Sequence, residues 1–305
     1  MSRYIFKRIL GAIPTLWIIA TMTFFLVRIA PGGPFDQDRQ VPEEVLKNLN
    51  AKYHLDEPLI VQYFRYMGDL LQGDLGPSFV YASRTVNEII GDTFPVSAVV
   101  GLAGLGYALI IGTLFGVVAA SRPNSLRDYL PMAFSMIGIC LPSFVIGPLL
   151  VLYFSIHLGW FNASGLSSVS DLILPSVTLG TIYAAYFSRL ARGGILDIVR
   201  QDFIRTAKAK GLPGWLIMIR HTLKGGMLPS VSFMGPAVTA MLSGSLVVET
   251  IFNVPGIGRF FVQSALNRDY TLVMGTVLFI AALIIVANLI VDILYAYLDP
   301  RVSYD

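Results

Sequence analysis

Six apolar stretches, separated by polar segments, dominate this chain. Each approaches the roughly 20 residues that an α-helix needs to cross a bilayer, so the pattern predicts six transmembrane helices. They cover residues 9–30, 96–120, 129–156, 172–188, 225–248 and 270–291. The fourth stretch is the shortest and contains Pro175 and Gly180. We therefore expect an all-α membrane protein.

The longest polar segment, residues 31–95, is the only part with the composition of a soluble domain. Pro42, followed by two glutamates, predicts a helix start, because proline fits the first turn and acidic residues stabilise its positive end. Pro58 opens a second, amphipathic helix, and residues 85–93 predict a third short one. The apolar positions of the second helix are Ile60, Phe64, Met67 and Leu71. We expect the segment to pack onto the membrane part, either as a lid or as a docking surface.

Composition supports the membrane assignment. The chain is 55% hydrophobic and only 13% charged, whereas soluble domains carry about 25% charged residues. The net charge of +3 is too small to indicate nucleic-acid binding. The single cysteine, Cys140, lies in an apolar stretch and is expected to be a buried hydrophobic residue.

The distribution of basic residues predicts the orientation. If both termini are cytoplasmic, the inside segments hold 14 of the 22 lysines and arginines but 6 of the 19 acidic residues, as the positive-inside rule requires. Three parts follow. Residues 1–30 form a cytoplasmic segment and the first transmembrane helix, 31–95 an extracytoplasmic region, and 96–305 a five-helix core with a cytoplasmic loop at about 189–224.

The familiar sequence motifs of catalysis are absent from the chain. It contains no G-x-x-x-x-G-K-[ST] loop for nucleotide phosphates, no G-x-S-x-G and no H-E-x-x-H. The three histidines all fall outside the apolar stretches. We therefore expect neither an enzyme nor a metal site, and any ATP hydrolysis must come from another protein.

Small residues and prolines predict how the apolar helices pack. Gly112 and Gly116 form a small-xxx-small stripe that allows close helix approach. Gly101, Gly104 and Gly106 extend the glycine-rich side of the same helix. Kinks are expected in the third stretch and in the fifth. The kink positions are Pro142, Pro148 and the Gly235–Pro236 pair.

Charged residues are rare near the predicted spans. Arg28, Glu249 and Asp292 each lie at the edge of one. At such an edge, pairing or snorkelling to the interface costs less than burial at the midplane, so we favour structural roles. A pair between Glu249 and Arg28 or Arg259 is one possibility.

Residues 202–213, here called the basic loop, stand out among the cytoplasmic segments. Phe203 and Ala207 are four positions apart on one helical face, and Arg205 and Lys208 are three apart on another. Gly211 suits a helix end, and the proline that follows Leu212 can open a second helix. From the residues alone, this is either a solvated loop or a compact surface that docks into a partner.

Several motifs carry a family resemblance. After the basic loop come Arg220-His-Thr-Leu-Lys224, Leu228-Pro229, Glu249-Thr-Ile-Phe-Asn-Val-Pro-Gly-Ile-Gly258 and Ala265-Leu-Asn-Arg-Asp-Tyr270. The chain opens with Ile13-Pro-Thr15 and Arg28-Ile-Ala-Pro-Gly32, and closes with Leu298-Asp-Pro300. In these motifs, almost from end to end, it resembles the permeases of binding-protein-dependent ABC importers. Within them it is similar to the peptide/nickel branch, nearest the B-type subunits of oligopeptide importers.

The resemblance implies a type I ABC importer permease fold with six transmembrane helices, both termini in the cytoplasm and a multi-pass location in the bacterial inner membrane. It implies a second homologous permease that completes the path, and two cytoplasmic ATPase subunits that bind ATP and Mg²⁺. It also implies an extracytoplasmic peptide-binding protein that delivers substrate. The residues that would couple to an ATPase are Arg205, Thr206, Ala207, Lys208, Ala209, Lys210, Gly211, Leu212 and Pro213.

One departure from the family pattern concerns the start of this coupling signature. It usually reads Glu-Ala-Ala, three residues, then Gly; here Arg205, Thr206 and Ala207 occupy the first three positions. Only Ala207 and Gly211 match, so no carboxylate acts at position 205. We expect Arg205 and Lys208 to meet acidic groups instead.

Alternatives stay open at this stage. The substrate is an oligopeptide, a dipeptide, another small peptide or nickel, and the residues that line the path are not identified. A secondary carrier would also have six spans, but it should place ionisable residues or broken helices near the midplane. A receptor or scaffold is disfavoured only by the resemblance.

Overall fold

The computed structural model describes residues 2–29, 47, 50–81 and 83–298. Regular structure in these residues is helical, apart from one isolated bridge between Pro77 and Thr85, so the all-α class is confirmed. The α-helices are α1 Ser2–Ile29, α2 Leu59–Leu71, α3 Val86–Ser121, α4 Leu126–Cys140, α5 Ser143–Leu150, α6 Ile173–Val199, α7 Asp202–Ala209, α8 Gly214–Ile217, α9 Leu223–Gly226, α10 Leu228–Leu242, α11 Leu246–Ile251, α12 Ile257–Leu266 and α13 Tyr270–Leu298. Segments Val151–His157 and Met218–Thr222 are π-helical, and Val169–Leu172 is a 3₁₀-helix. The helix start predicted at Pro42 lies outside the described residues.

Three described helices are long and apolar enough to cross a membrane: Phe6–Ile29, Val86–Ser121 and Tyr270–Ile293. A fourth is obtained if the bent pair Leu126–Cys140 and Ser143–His157 counts as one span. The predicted fourth and fifth stretches fall on α6 and on α9 to α11. The count of six spans stays a prediction.

The third predicted span is broken in the middle. The helix axis bends by 108° between its two halves. Leu141 is extended, as expected for a residue before proline, and Pro142 starts the second half. The predicted interruption at Pro142 is confirmed, whereas Pro148 lies inside α5.

The fifth predicted span is interrupted at a different place from the one expected. Helix α10 continues through Gly235 and Pro236, where a kink was predicted. The interruption comes between Leu242 and Leu246, where Gly244 has φ +80°. Glycine reaches this left-handed conformation without a Cβ penalty, so it can end one helix and redirect the chain.

The chain divides into two compact units. The described part of the first comprises residues 2–29, 47, 50–81, 83–96 and 255–289, and that of the second comprises 97–254 and 290–298. The three-part domain division expected from the sequence stays a prediction.

In the first unit, α2 confirms the amphipathic helix predicted after Pro58, but of its four predicted apolar positions only Met67 packs against a buried cluster. Gln62 and Tyr63 are buried, whereas Ile60 and Phe64 are exposed. The short helix predicted over residues 85–93 is instead the first part of the continuous helix α3. Pro95 lies inside α3, and the helix continues past it.

A buried carboxylate fixes the start of α13 in the same unit. Asp269 accepts a hydrogen bond from the N–H of Leu272 at 3.2 Å, which caps the helix. It also accepts bonds from the hydroxyl of Ser78 and, at 3.1 Å, from the N–H of Phe79. The segment before α3 is thereby attached to the last long helix.

Glycines hold the second unit together at its helix crossings. A Cβ on Gly112 would lie 2.6 Å from the carbonyl oxygen of Ala184, and one on Gly116 would lie 2.6 Å from Cβ of Ala191. The predicted small-residue stripe is thus confirmed as the contact between α3 and α6. Gly106 has open space around it and takes no part.

Candidate functional site

The basic loop begins with an eight-residue helix, α7, whose apolar side is buried. Ile204 and Ala207 pack against Ile217 of α8, and Ile198 and Leu212 complete the cluster. The loop is therefore a small folded body with its own core. Phe203, predicted to share a face with Ala207, is 50% exposed and stands outside this cluster.

Gly211 ends α7 in the way the sequence predicted. Its φ is +76°, and its N–H donates to the carbonyl of Lys208 at 2.9 Å. The next N–H, of Leu212, donates to the carbonyl of Ala207 at 3.3 Å. These two bonds form a Schellman motif, which closes a helix and reverses the chain. A Cβ on Gly211 would meet nothing within 4 Å, so the conformation, and not crowding, requires glycine here.

Pro213 is the residue from which α8 begins. Its carbonyl accepts from the N–H of Leu216 at 3.0 Å and of Ile217 at 3.2 Å. The chain then passes through the π-helical segment Met218–Thr222, where the buried hydroxyl of Thr222 donates to the carbonyl of Ile217 at 3.2 Å. Extra residues in a helical turn of this kind occur frequently at functional sites.

The exposed surface of the loop combines cations with aromatic rings. Phe203 is 50% exposed and Trp215 is 66% exposed. Arg205 donates to Asp202 at 3.2 Å within α7, and both side chains remain largely in solvent. The other predicted coupling residues that are exposed are Thr206, Lys208, Ala209, Lys210, Gly211 and Pro213. Exposed aromatic rings next to arginine are typical of protein–protein contacts.

Helix α9, which follows the basic loop and α8, packs against α6 through glycines that the sequence analysis did not single out. A Cβ on Gly194 would lie 2.1 Å from the carbonyl oxygen of Gly226. One on Gly225 would meet the side chain of Ile198 at 2.9 Å. Helix α9 therefore touches α6 backbone to backbone. The signal available in the sequence was the pair of Gly-Gly dipeptides at 193–194 and 225–226.

An ion pair with a buried carboxylate joins α6 to α4. The Asp128 carboxylate, 1% exposed, accepts from Nε of Arg192 at 2.6 Å and from Nη2 at 2.7 Å. It also accepts from the N–H of Asn124 at 3.0 Å. This two-pronged bond joins α4 to α6. Sequence reasoning counted both residues only as charges that set the topology.

Glu249, one of the edge charges, is buried within the second unit. Its Oε1 accepts a 2.7 Å hydrogen bond from the hydroxyl of Ser97, which is also buried. A pairing with Arg28 or Arg259 stays a prediction. No group of histidine, cysteine and acidic residues in the described ranges is arranged to hold a metal ion.

Comparison with known families matches both parts of the chain. The family "Binding-protein-dependent transport system inner membrane component" matches residues 112–304. A family described as the N-terminal part of the same kind of membrane component matches residues 1–101.

Curated relatives match over the whole length. The "Oligopeptide transport system permease protein OppB" of Salmonella typhimurium is 48% identical, and that of Haemophilus influenzae 46%, each with 100% of both chains covered. A "Dipeptide transport system permease protein DppB" of Bacillus subtilis is 39% identical over 99% of this chain and 98% of its own.

Solved structures share the fold. A chain from an "amino acid ABC transporter with histidines" aligns with a TM-score of 0.52 at 16% identity, over 71% of this chain and 95% of its own. A chain of the "MetNI methionine ABC transporter" gives the same score and identity over 70% and 96%. The family matches and the full-length relatives show that the chain is a multi-pass inner-membrane protein. The chain belongs to the binding-protein-dependent transport system inner membrane components.

Proposed function

We propose that this chain is a permease subunit of an ATP-driven importer of oligopeptides. The observation that carries the proposal is full-length identity of 46–48% to permeases named for oligopeptide transport. The chain would form half of the translocation path, and a second, homologous permease would form the rest. An extracytoplasmic binding protein would deliver the peptide.

The proposed arrangement in the membrane has six spans with both termini in the cytoplasm. The bent pair α4–α5 would be the third span, α6 the fourth and α9 to α11 the fifth. The excess of lysine and arginine in the segments that this topology places inside supports it. It also puts the basic loop on the cytoplasmic side.

The basic loop is the proposed coupling element. Its residues 205–213, with the exposed rings of Phe203 and Trp215, would sit on one of two cytoplasmic ATPase subunits, which bind the ATP and Mg²⁺. The small core around Ile204 and Ala207 keeps the loop in one shape. The backbone contact between Gly194 and Gly226 supports transmission of its displacement to α6. A rigid link of this type couples the nucleotide state of the ATPase to the inward or outward orientation of the translocation path.

Dipeptides are the second candidate substrate, because a relative named for dipeptide transport matches over nearly the full length. The described residues offer no feature that measures peptide length, and nickel has no specific support from them. The lower identity of that relative favours oligopeptides.

The test is uptake by the assembled system. The tagged chain is purified from its native membrane with the subunits that accompany it, and the complex is placed in liposomes with ATP inside. We expect uptake of labelled oligopeptides that requires ATP and the binding protein, and weaker uptake of dipeptides. Uptake that persists without ATP but follows an ion gradient would overturn the proposal in favour of a secondary carrier. Purification of the chain without any ATPase under several mild detergents would also contradict it.

A further inference from the structure

Helix α2 carries an exposed apolar stripe. Ile60, Phe64 and Leu71 are 56%, 67% and 87% exposed, and helical spacing puts them on one side. Gly68 lies in the same stripe, whereas Arg65 and Asp69 point away from it. An apolar side this exposed requires a cover.

The side of α2 that flanks the stripe at Tyr63 is fixed to the membrane-spanning helix α1. The hydroxyl groups of Tyr63 and Thr21 are 2.9 Å apart and hydrogen-bonded. The Tyr63 ring stacks on Phe25 with centroids 5.7 Å apart and meets Phe24 edge-on at 5.4 Å. The position of α2 along α1 is therefore set by buried contacts.

These contacts determine the depth of α2. Thr21 lies eight residues before Ile29, the end of α1, which is about 12 Å along a helix that rises 1.5 Å per residue. The exposed side chains of α1 over this part are Met22, Leu26 and Ile29. Helix α1 is long and apolar enough to cross the bilayer, so these exposed side chains suit contact with lipid, and α2 packs against the same turns of α1 through Tyr63.

The polar groups of this corner match a membrane interface. Arg28 stands in the last turn of α1, with its guanidinium 3.7 Å from the centre of the Phe24 ring, and donates to Gln62 at 3.0 Å. No carboxylate among the described residues pairs with it. Arginine, tyrosine and an amphipathic helix at one depth are the usual composition of an interface.

We propose that α2 lies in the interface of the leaflet at the C-terminal end of α1, with its apolar stripe covered by the acyl chains of phospholipids. In this arrangement the stripe faces the same acyl chains as the exposed side chains of α1, and Arg65 and Asp69 remain in water. The proposal goes beyond the transport function and needs only that α1 crosses the membrane.

Spin labels on single cysteines test this proposal. The chain carries Cys140→Ala, since Cys140 is its only cysteine; it is labelled alone and then combined with its partner subunits in nanodiscs of phosphatidylethanolamine and phosphatidylglycerol. Labels are attached at Phe64→Cys, at Asp69→Cys on the opposite side of α2, and at Leu26→Cys on α1 as the lipid-facing control. Ile60→Cys provides a second position on the stripe if Phe64→Cys does not fold.

We expect the label at position 64 to collide with dissolved oxygen as often as the label at 26, and several-fold less with a water-soluble nickel chelate than the label at 69. Strong collision with the nickel chelate at 64 would show that the stripe faces water and would overturn the proposal. Weak collision with both reagents would show that another protein subunit covers the stripe, which would also overturn it.

Discussion

Two short amphipathic helices outside the long apolar helices use their faces in opposite ways. Helix α2 buries polar and aromatic side chains, Gln62 and Tyr63, and exposes an apolar stripe. Helix α7 buries Ile204 and Ala207 and exposes cations. An apolar pattern alone therefore does not reveal which face a helix buries. The face left exposed indicates the partner: lipid for α2 and, as we propose, an ATPase for α7.

The largest expected effect comes from breaking the contact between α6 and α9, the helices that lie before and after the basic loop in sequence. In Gly194→Ala, the new Cβ would lie 2.1 Å from the carbonyl oxygen of Gly226, so the α6–α9 contact must open. We expect destabilisation of about 3 kcal/mol, the upper range for overpacking, and loss of ATP-dependent uptake. Thermal unfolding of the purified complex measures the first, and the liposome assay the second.

Gly193→Ala is the matched control, because Gly193 is in the same helix and has open space around it. Both substitutions raise helix propensity by the same amount. The difference between their stabilities therefore reports the Gly194–Gly226 contact alone. Equal stability of the two variants would contradict the proposed support.

The Asp128–Arg192 bond also supports the helices next to α7. Asp128→Asn leaves Arg192 without its carboxylate, and loss of one partner of a buried pair costs about 3 kcal/mol. Because Arg192 is 30% exposed, we expect somewhat less than this, measured by thermal unfolding. The control is Asp197→Asn, which changes an exposed acid on α6, the helix that carries Arg192. It should change stability little. If both variants unfold alike, the bond does not stabilise the unit.

Gly211→Ala alters the shape of the α7 turn without filling a cavity. Its φ of +76° is left-handed, which costs an L-residue about 1–2 kcal/mol. We expect normal membrane insertion but reduced stimulation of ATP hydrolysis by the binding protein. Gly211→Asn should retain more activity, since asparagine tolerates this conformation. Gly214→Ala, with open space and an ordinary φ, should leave coupling intact, and equal loss at 211 and 214 would contradict the assignment.

The smallest effect is expected from the exposed cations of α7. Replacing Arg205 and Lys208 by Ala removes surface charges worth up to about 1 kcal/mol together, so recovery of the ATPase with the chain should fall several-fold at most. Membrane insertion should not change. The matched double variant Lys52→Ala, Arg65→Ala in the α2 region should leave ATPase recovery unchanged. An equal fall in ATPase recovery for both double variants would contradict a specific role of the α7 cations.

Long apolar helices were predictable because a continuous apolar run is sufficient to define them. Helix α2 and the end of α7 at Gly211 were predictable from proline and glycine, whose backbone preferences act locally. The side to which the α2 stripe points was not predictable, because it depends on the tertiary contact between Tyr63 and α1. The Asp128–Arg192 pair and the Gly194–Gly226 contact join residues far apart in sequence, and no local pattern encodes that distance. The nine coupling residues remain a prediction.

The bend at Leu141 and Pro142 has a consequence for hydration. The helix ends there, so the last carbonyl groups of α4 lose the N–H partners that a continuing helix would supply. Hydrocarbon cannot provide hydrogen bonds, and irregular backbone at membrane depth persists only where protein buries it or water reaches it. The span that we propose for the bent pair would put this break at membrane depth, and we then expect protein or water, and not lipid, to meet the chain there.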